Sequence, residues 1–137
     1  MATTRTDELK DLPLFARLSG ADLQFLAGHL DEVSVPAGTT LITEGNSNHA
    51  FFVLLDGQVD ASVGGQHRRT MGPGDFFGEI SMMGLDSATA TVVTRTPIRA
   101  LVASHAQFMA MKGNETVMLQ LKAAMGERLH ADRKLAP

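Results

Sequence analysis

The chain contains no cysteine. That removes disulfides, thiolate chemistry and cysteine-based metal sites together, and it fits a reducing compartment. No apolar run approaches the ~18 residues that a membrane span needs. The N-terminus, MATTRTDELKDL, also lacks the apolar stretch of a signal peptide. Positive charge is in deficit: 12 Lys and Arg face 15 Asp and Glu, a net charge of −3. Direct DNA binding and attraction to a membrane surface are therefore not expected. Catalytic signatures are missing too. The five histidines, His29, His49, His67, His105 and His130, have no pair at metal-ligand spacing, so no metal is expected. Phosphate-loop, dinucleotide and nucleophile-elbow patterns are absent. Asp75 and Glu79 make a poor carboxylate pair, being separated by Phe-Phe-Gly. The expectation is a cytoplasmic single domain that is not an enzyme.

What is present is enough apolar material to fold. Over 137 residues the hydrophobic fraction is 44%, sufficient for one core without metal or disulfide staples. Residues 7–30 carry a helical pattern split at Pro13 and again at Ser19-Gly20. Ser19 followed by Asp22 resembles a capping box, and Leu23, Leu26, Ala27 and Leu30 fall on one face. From Glu32 to Val102 short apolar runs alternate with turn residues, the pattern of an all-β body. Asp56-Gly57 and Gly64-Gly65 both predict hairpin turns, where positive φ is required. Helix returns in the last third, with Ser104 predicted to cap one short piece and Asn114 a longer one. Met118, Leu121, Met125 and Leu129 form an apolar stripe along that second piece.

One stretch carries more than packing information: GPGDFFGEISMMGLDSATATVV, residues 72–93. Gly72, Gly74 and Gly78 permit positive φ and close approach of backbone to a ligand. A helical turn starting at Glu79 would leave N–H groups pointing outward, which attracts phosphate. Glu79 itself, when ionised, suits ribose hydroxyls as an acceptor. Against a phosphate ligand stands the lack of any Lys or Arg between Glu79 and Thr91.

At these residues the chain resembles the cyclic-nucleotide-binding domain family, which includes catabolite-activator-type bacterial regulators, kinase regulatory subunits and gated channels. The likeness runs over about residues 12–133. It is carried by LPLFARLSGADLQFLAGHL, by VPAGTTLITEGNSNHAFFVLLDGQVDASV with Gly45 and Gly57, and by GPGDFFGEISMM. The resemblance implies a mainly β fold, an antiparallel jelly-roll-like β-roll with an N-terminal helical segment and C-terminal helices. It divides the 7–133 domain into helices at 7–30, a β-roll at 32–102 and helices at 104–133, with a phosphate-binding cassette at 74–92.

The same resemblance implies which residues meet a ligand. Gly78 and Glu79 would contact the ribose, and Ile80 and Ser81 would offer backbone groups near the cyclic phosphate. The family pattern then calls for an arginine, and Ala88 stands in its place. Thr89 takes the following small-or-hydroxyl position, and Ser87 adds a nearby hydroxyl. Arg68, Arg69 and Arg95 are alternative cations, although a strand arginine usually points to solvent. The implied protein is a regulatory module sensing cAMP or cGMP with reduced affinity, acting on an unknown effector protein without a further cofactor. The alternative is a degenerate scaffold domain that binds no cyclic nucleotide. No DNA-binding, kinase, channel or cyclase segment accompanies it, which suggests a free-standing module or a part of something longer. A homodimer through the 115–133 helix is a further expectation from the bacterial relatives.

Overall fold

The computed structural model describes residues 9–12, 15–16, 18–47, 50–78, 88–111, 113–120 and 122–123. They belong to two compact units, a helical one up to Leu30 and from Ala106 onward, and a β one between Asp31 and His105.

The β unit has strands β1 (Asp31–Val35), β2 (Thr40–Ile42), β3 (Ala50–Asp56), β4 (Val59–Val63), β5 (Gln66–Met71), β6 (Phe76–Phe77), β7 (Thr91–Thr94) and β8 (Ile98–Ser104). These form two four-stranded sheets, in the orders β1-β8-β3-β6 and β2-β7-β4-β5. Every pairing between them is antiparallel, as expected for a β-roll. The two sheets share one core. Phe52, Leu54, Phe77, Ile98 and Ala100 come from the first, and Ile42, Val59, Ala61, Met71 and Val92 from the second. The Phe52 and Phe77 rings stack at 4.9 Å between centroids, closing the β3–β6 edge from inside.

The two glycine turns behave differently. Gly64-Gly65 is a hairpin turn, with φ of 59° and 80° joining the paired strands β4 and β5. Asp56-Gly57 is not one. β3 and β4 lie in different sheets, so this turn is the corner where the chain changes sheet. Only Gly57 has positive φ there, at 87°. A Cβ at Gly57 would collide with the Pro97 carbonyl oxygen and come within 2.8 Å of Ile98 Cγ2. Glycine is needed for close approach as well as for dihedral freedom.

Polar fasteners hold the corners. Thr94, with 2% exposure, accepts from Thr39 N at 2.8 Å and donates its hydroxyl to the Pro36 carbonyl at 2.7 Å. A buried hydroxyl with both roles filled carries no desolvation penalty left uncompensated. Arg99 ties three strands, with Nη1 3.0 Å from Glu32 Oε1 and Nε 2.9 Å from Asp56 Oδ2.

In the helical unit, residues 9–18 depart from the expected helix. Backbone bonds step from Leu12 N to Leu9 O, Phe15 N to Leu12 O and Leu18 N to Phe15 O. This i to i+3 stepping aligns side chains three apart, and Leu9, Leu12, Phe15 and Leu18 are all buried. Helix α1 (Gly20–Ala27) follows, and Ser19 Oγ accepts from Asp22 N at 3.2 Å as its cap. Asp22 accepts from Asn114 Nδ2 at 2.9 Å. Leu23, Leu26 and Leu30 are buried and Ala27 is half-buried, the predicted face. His29 is structural: Nδ1 sits 2.8 Å from the Phe25 carbonyl, and the two rings are in contact.

Helix α2 (His105–Met111) begins just after Ser104 and buries Phe108 and Met111. Asn114 then caps a helical segment at 115–120, accepting from Val117 N through Oδ1 at 3.1 Å. Its amide thus caps one helix with its oxygen and reaches another with its nitrogen. Of the predicted stripe, Met118 is buried within the chain, whereas Leu121, Met125 and Leu129 lie outside the described residues. Leu119, absent from that stripe, is 68% exposed. Among the described residues no helix is long and apolar enough to cross a membrane.

Candidate ligand site

The glycine-rich stretch starts where β5 turns into β6. Asp75 Oδ2 accepts from Gly72 N at 2.9 Å, and Asp75 N donates back to the Gly72 carbonyl at 3.0 Å. Gly74 N donates to Leu54 O at 2.9 Å, and Leu54 N donates to Asp75 O at 2.8 Å. The amides of Gly72, Gly74 and Asp75 are thus spent inside the protein. This corrects the expectation that Gly72 and Gly74 present backbone to a ligand: the GPGD turn is a corner docked on β3. Gly74 has φ of 92°, but Gly72 has no positive φ. Asp75 closes its own turn, which explains an acidic residue there without assigning it to catalysis.

Gly78 is different. It leaves β6 with φ of 92°, a conformation that favours glycine and redirects the chain out of the sheet. Beyond it, Glu79, Ile80, Ser81 and Ser87 lie outside the described residues.

At the far end, the chain returns as an added rung on the β2–β3 loop. Ala88 N donates to Asn46 O at 2.9 Å, and Gly45 N donates to Ala88 O at 2.9 Å. Gly45 adopts φ of 85° to make that approach. Glu44 reinforces the clamp: its N–H donates to Thr91 Oγ1 at 3.0 Å, and its Oε1 accepts from Gly64 N at 2.8 Å. The side chain of Ala88 is half-buried and packs against the shared core. Thr89, next along, is exposed. The site as described therefore brings Ala88 onto the core and leaves Thr89 in solvent. Sequence reasoning missed the Glu44-Gly45-Asn46 clamp. Its one signal was the Gly45 turn, which says nothing of its partner 43 positions away.

Three cations were candidates to compensate at Ala88. Arg95 is committed elsewhere, with Nη1 3.4 Å from Thr70 Oγ1 and 3.9 Å from Asp60 Oδ1. Those partners belong to an outer-face cluster in which Thr70 Oγ1 donates to Asp60 at 2.7 Å and His67 Nε2 lies 3.2 Å from the same carboxylate. The Thr70 hydroxyl is the main reason that the Asp60 carboxyl titrates below its ordinary value of 3.8; partial burial opposes it, and His67 and Arg95 assist. Arg68 falls where the β4–β5 register shifts, between the Ala61–Arg69 and Ser62–His67 pairs. Arg69 is the exception to solvent-facing strand arginines. It pairs with Ala61 in the rung two along from Val59–Met71, which puts it on the core face.

Two antiparallel sheets rolled round one core, joined by a glycine-led segment and accompanied by helices at both ends, define a β-roll domain. The chain belongs to the cyclic nucleotide-binding domain family, whose model matches residues 32–114. Among curated proteins it is 29% identical over 107 residues to the cAMP-dependent protein kinase regulatory subunit of Aspergillus niger, covering 77% of this chain and 26% of that protein. The chain thus spans about a quarter of the length of such relatives. Among solved structures, cAMP-bound PfPKA-R superposes with a TM-score of 0.82 at 20% identity, over 95% of this chain and 44% of that one. The Thermus thermophilus catabolite activator protein gives 0.77 at 25% identity, over 90% and 61%. The domain is therefore a cyclic nucleotide-binding domain related to kinase regulatory subunits, and its family is regulatory rather than catalytic.

Proposed function

We propose that this domain is a regulatory module that binds a cyclic nucleotide, cAMP or cGMP, with reduced affinity and passes occupancy to its C-terminal helix. In this reading Gly78 and Glu79 take the ribose. Ile80, Ser81, Ser87 and Thr89 surround the phosphate, and Ala88 occupies the place of the phosphate-binding arginine. The observation that carries the reading is the clamp on Ala88. The cassette's return is held by Asn46 and Gly45, so the backbone frame persists at the residue that lost its charge. The affinity is low because a charge-assisted bond is worth roughly 1.5–3 kcal/mol. Its loss corresponds to roughly a ten- to two-hundred-fold weaker complex. The Ala88 amide does not compensate, being spent on Asn46. Occupancy moves a helix only if the ligand prefers one of its positions.

Calorimetric titration of cAMP and cGMP against the purified chain tests the reading. Weak binding supports it, and silence at millimolar ligand would replace it with the scaffold function, in which the domain docks an effector and ignores nucleotide. The substitution Ala88→Arg then gauges the frame. Affinity rises at least about tenfold if the phosphate position is intact. An unchanged affinity means the side-chain space at 88 has been taken by core packing.

A further inference from the structure

We propose that Arg69 supplies the cation that meets the ligand's phosphate, in place of the arginine missing at Ala88. The inference rests on the cyclic-nucleotide reading above. It begins from register. Val59–Met71, Asp60–Thr70 and Ala61–Arg69 are successive rungs of the β4–β5 ladder. Val59, Met71 and Ala61 all belong to the shared core, while Asp60 and Thr70 bond to one another on the outer face. Alternation therefore sends Arg69 to the core face, where it is half-buried.

Strict alternation would put His67 on that face as well. The register shift between Ala61 and Ser62 prevents it, and His67 comes out to meet Asp60 and Thr70. A bulge that re-aims side chains is a recurring feature beside binding sites. Here it leaves Arg69 as the charged member of the inward set on β5.

Position joins the argument to the cassette. β5 leads through the GPGD turn into β6 and Gly78, so Arg69 lies on the strand that feeds the cassette. Ala88, at the other end, packs against the same cluster that contains Ala61 and Met71. A long arginine stem can lie along such an apolar surface while its head reaches a polar group. The guanidinium keeps its charge at any physiological pH, and its fork of donors matches two phosphate oxygens. Arg95 and Arg99, by contrast, are held by carboxylates at other sites. A competing role exists for an inward charge on an edge strand, since it discourages pairing with a second chain.

The test compares a ligand with and without its phosphate. The full chain is titrated with cAMP and with adenosine, as the wild type and as Arg69→Gln and Arg69→Lys. The expected result is a wild-type preference for cAMP that vanishes in Arg69→Gln, through a loss of at least about tenfold for cAMP alone. Arg69→Lys keeps the charge but not the fork, and retains part of the preference. If Arg69→Gln does not fold, Arg69→Lys decides: a drop confined to cAMP supports the assignment and no drop overturns it. Equal wild-type affinity for the two ligands overturns it, as does unaltered cAMP binding in Arg69→Gln. Unaltered binding with new self-association, seen by light scattering, would assign Arg69 to guarding the sheet edge. A wild type that binds neither ligand defeats the cyclic-nucleotide reading itself, a result distinct from these.

Discussion

The two sheets contribute equally to one core but treat their outer faces in opposite ways. In β1-β8-β3-β6 the second face is apolar and buried as well: Phe51, Val53, Phe76, Leu101 and Ala103 are all below a tenth exposed. In β2-β7-β4-β5 the second face carries Asp60, His67 and Thr70, joined by hydrogen bonds. The sequence pattern follows this division. AFFVLL in β3 reads as a continuous apolar run, as strands buried on both faces do, whereas VDASV in β4 alternates. The difference teaches where adaptation is cheap. The first sheet is a scaffold with no spare face, while the second has a wet face and an edge strand on which charge can change. The cassette starts from β6 in the scaffold sheet and returns into β7 of the other, so its two ends answer to different constraints.

The largest effect should come from breaking the scaffold. Phe51→Ala empties a fully buried site and is expected to cost about 3–5 kcal/mol, read as a lowered urea midpoint. A loss below about 1 kcal/mol would mean that the second face is not packed as tightly as its burial implies. Next comes the corner between the sheets. Gly57→Ala combines a positive φ, roughly 1–3 kcal/mol by itself, with collision against the Pro97 carbonyl. The same change at Gly65, where nothing crowds a Cβ, should cost only the dihedral part. Thr94→Val removes a hydroxyl that serves both the Thr39 amide and the Pro36 carbonyl. That should cost about 1–3 kcal/mol, because the Thr39 amide loses its acceptor.

The smallest effect belongs to the wet face. The folded Asp60 carboxyl titrates below its ordinary value, so its contribution is present above pH 3.8 and is lost as pH falls through the lowered folded value. On a partly exposed side chain this amounts to no more than about 1 kcal/mol. Thr70→Val, which deletes the leading cause, should flatten the acid limb of a stability–pH profile below pH 4 relative to wild type. A profile that instead changes near neutrality would assign the effect to a different group.

Much of this protein can be read without coordinates. The helix–β–helix order, the Ser19 and Asn114 caps and the Gly64-Gly65 hairpin are local features, set by side chains within a few positions of one another. Ala88 at the arginine position is equally plain in the sequence. Legibility fails where partners are distant. The Asp56-Gly57 signal correctly marks a turn and mistakes its kind, since no local pattern says that β3 pairs with β8 rather than with β4. The GPGD amides look available until Leu54 is found to occupy them.

The sequence by itself determined the strand-forming runs, the compulsory glycines and the loss of charge at Ala88, because periodicity, φ preference and residue identity are properties of short segments. The tertiary structure alone decided which sheet each strand joined, that Arg95 was spent on Asp60, and that a bulge set Arg69 and His67 on opposite faces. Those outcomes depend on register between strands. A shift of one residue there exchanges the inside of a sheet for the outside without altering anything that the local sequence expresses.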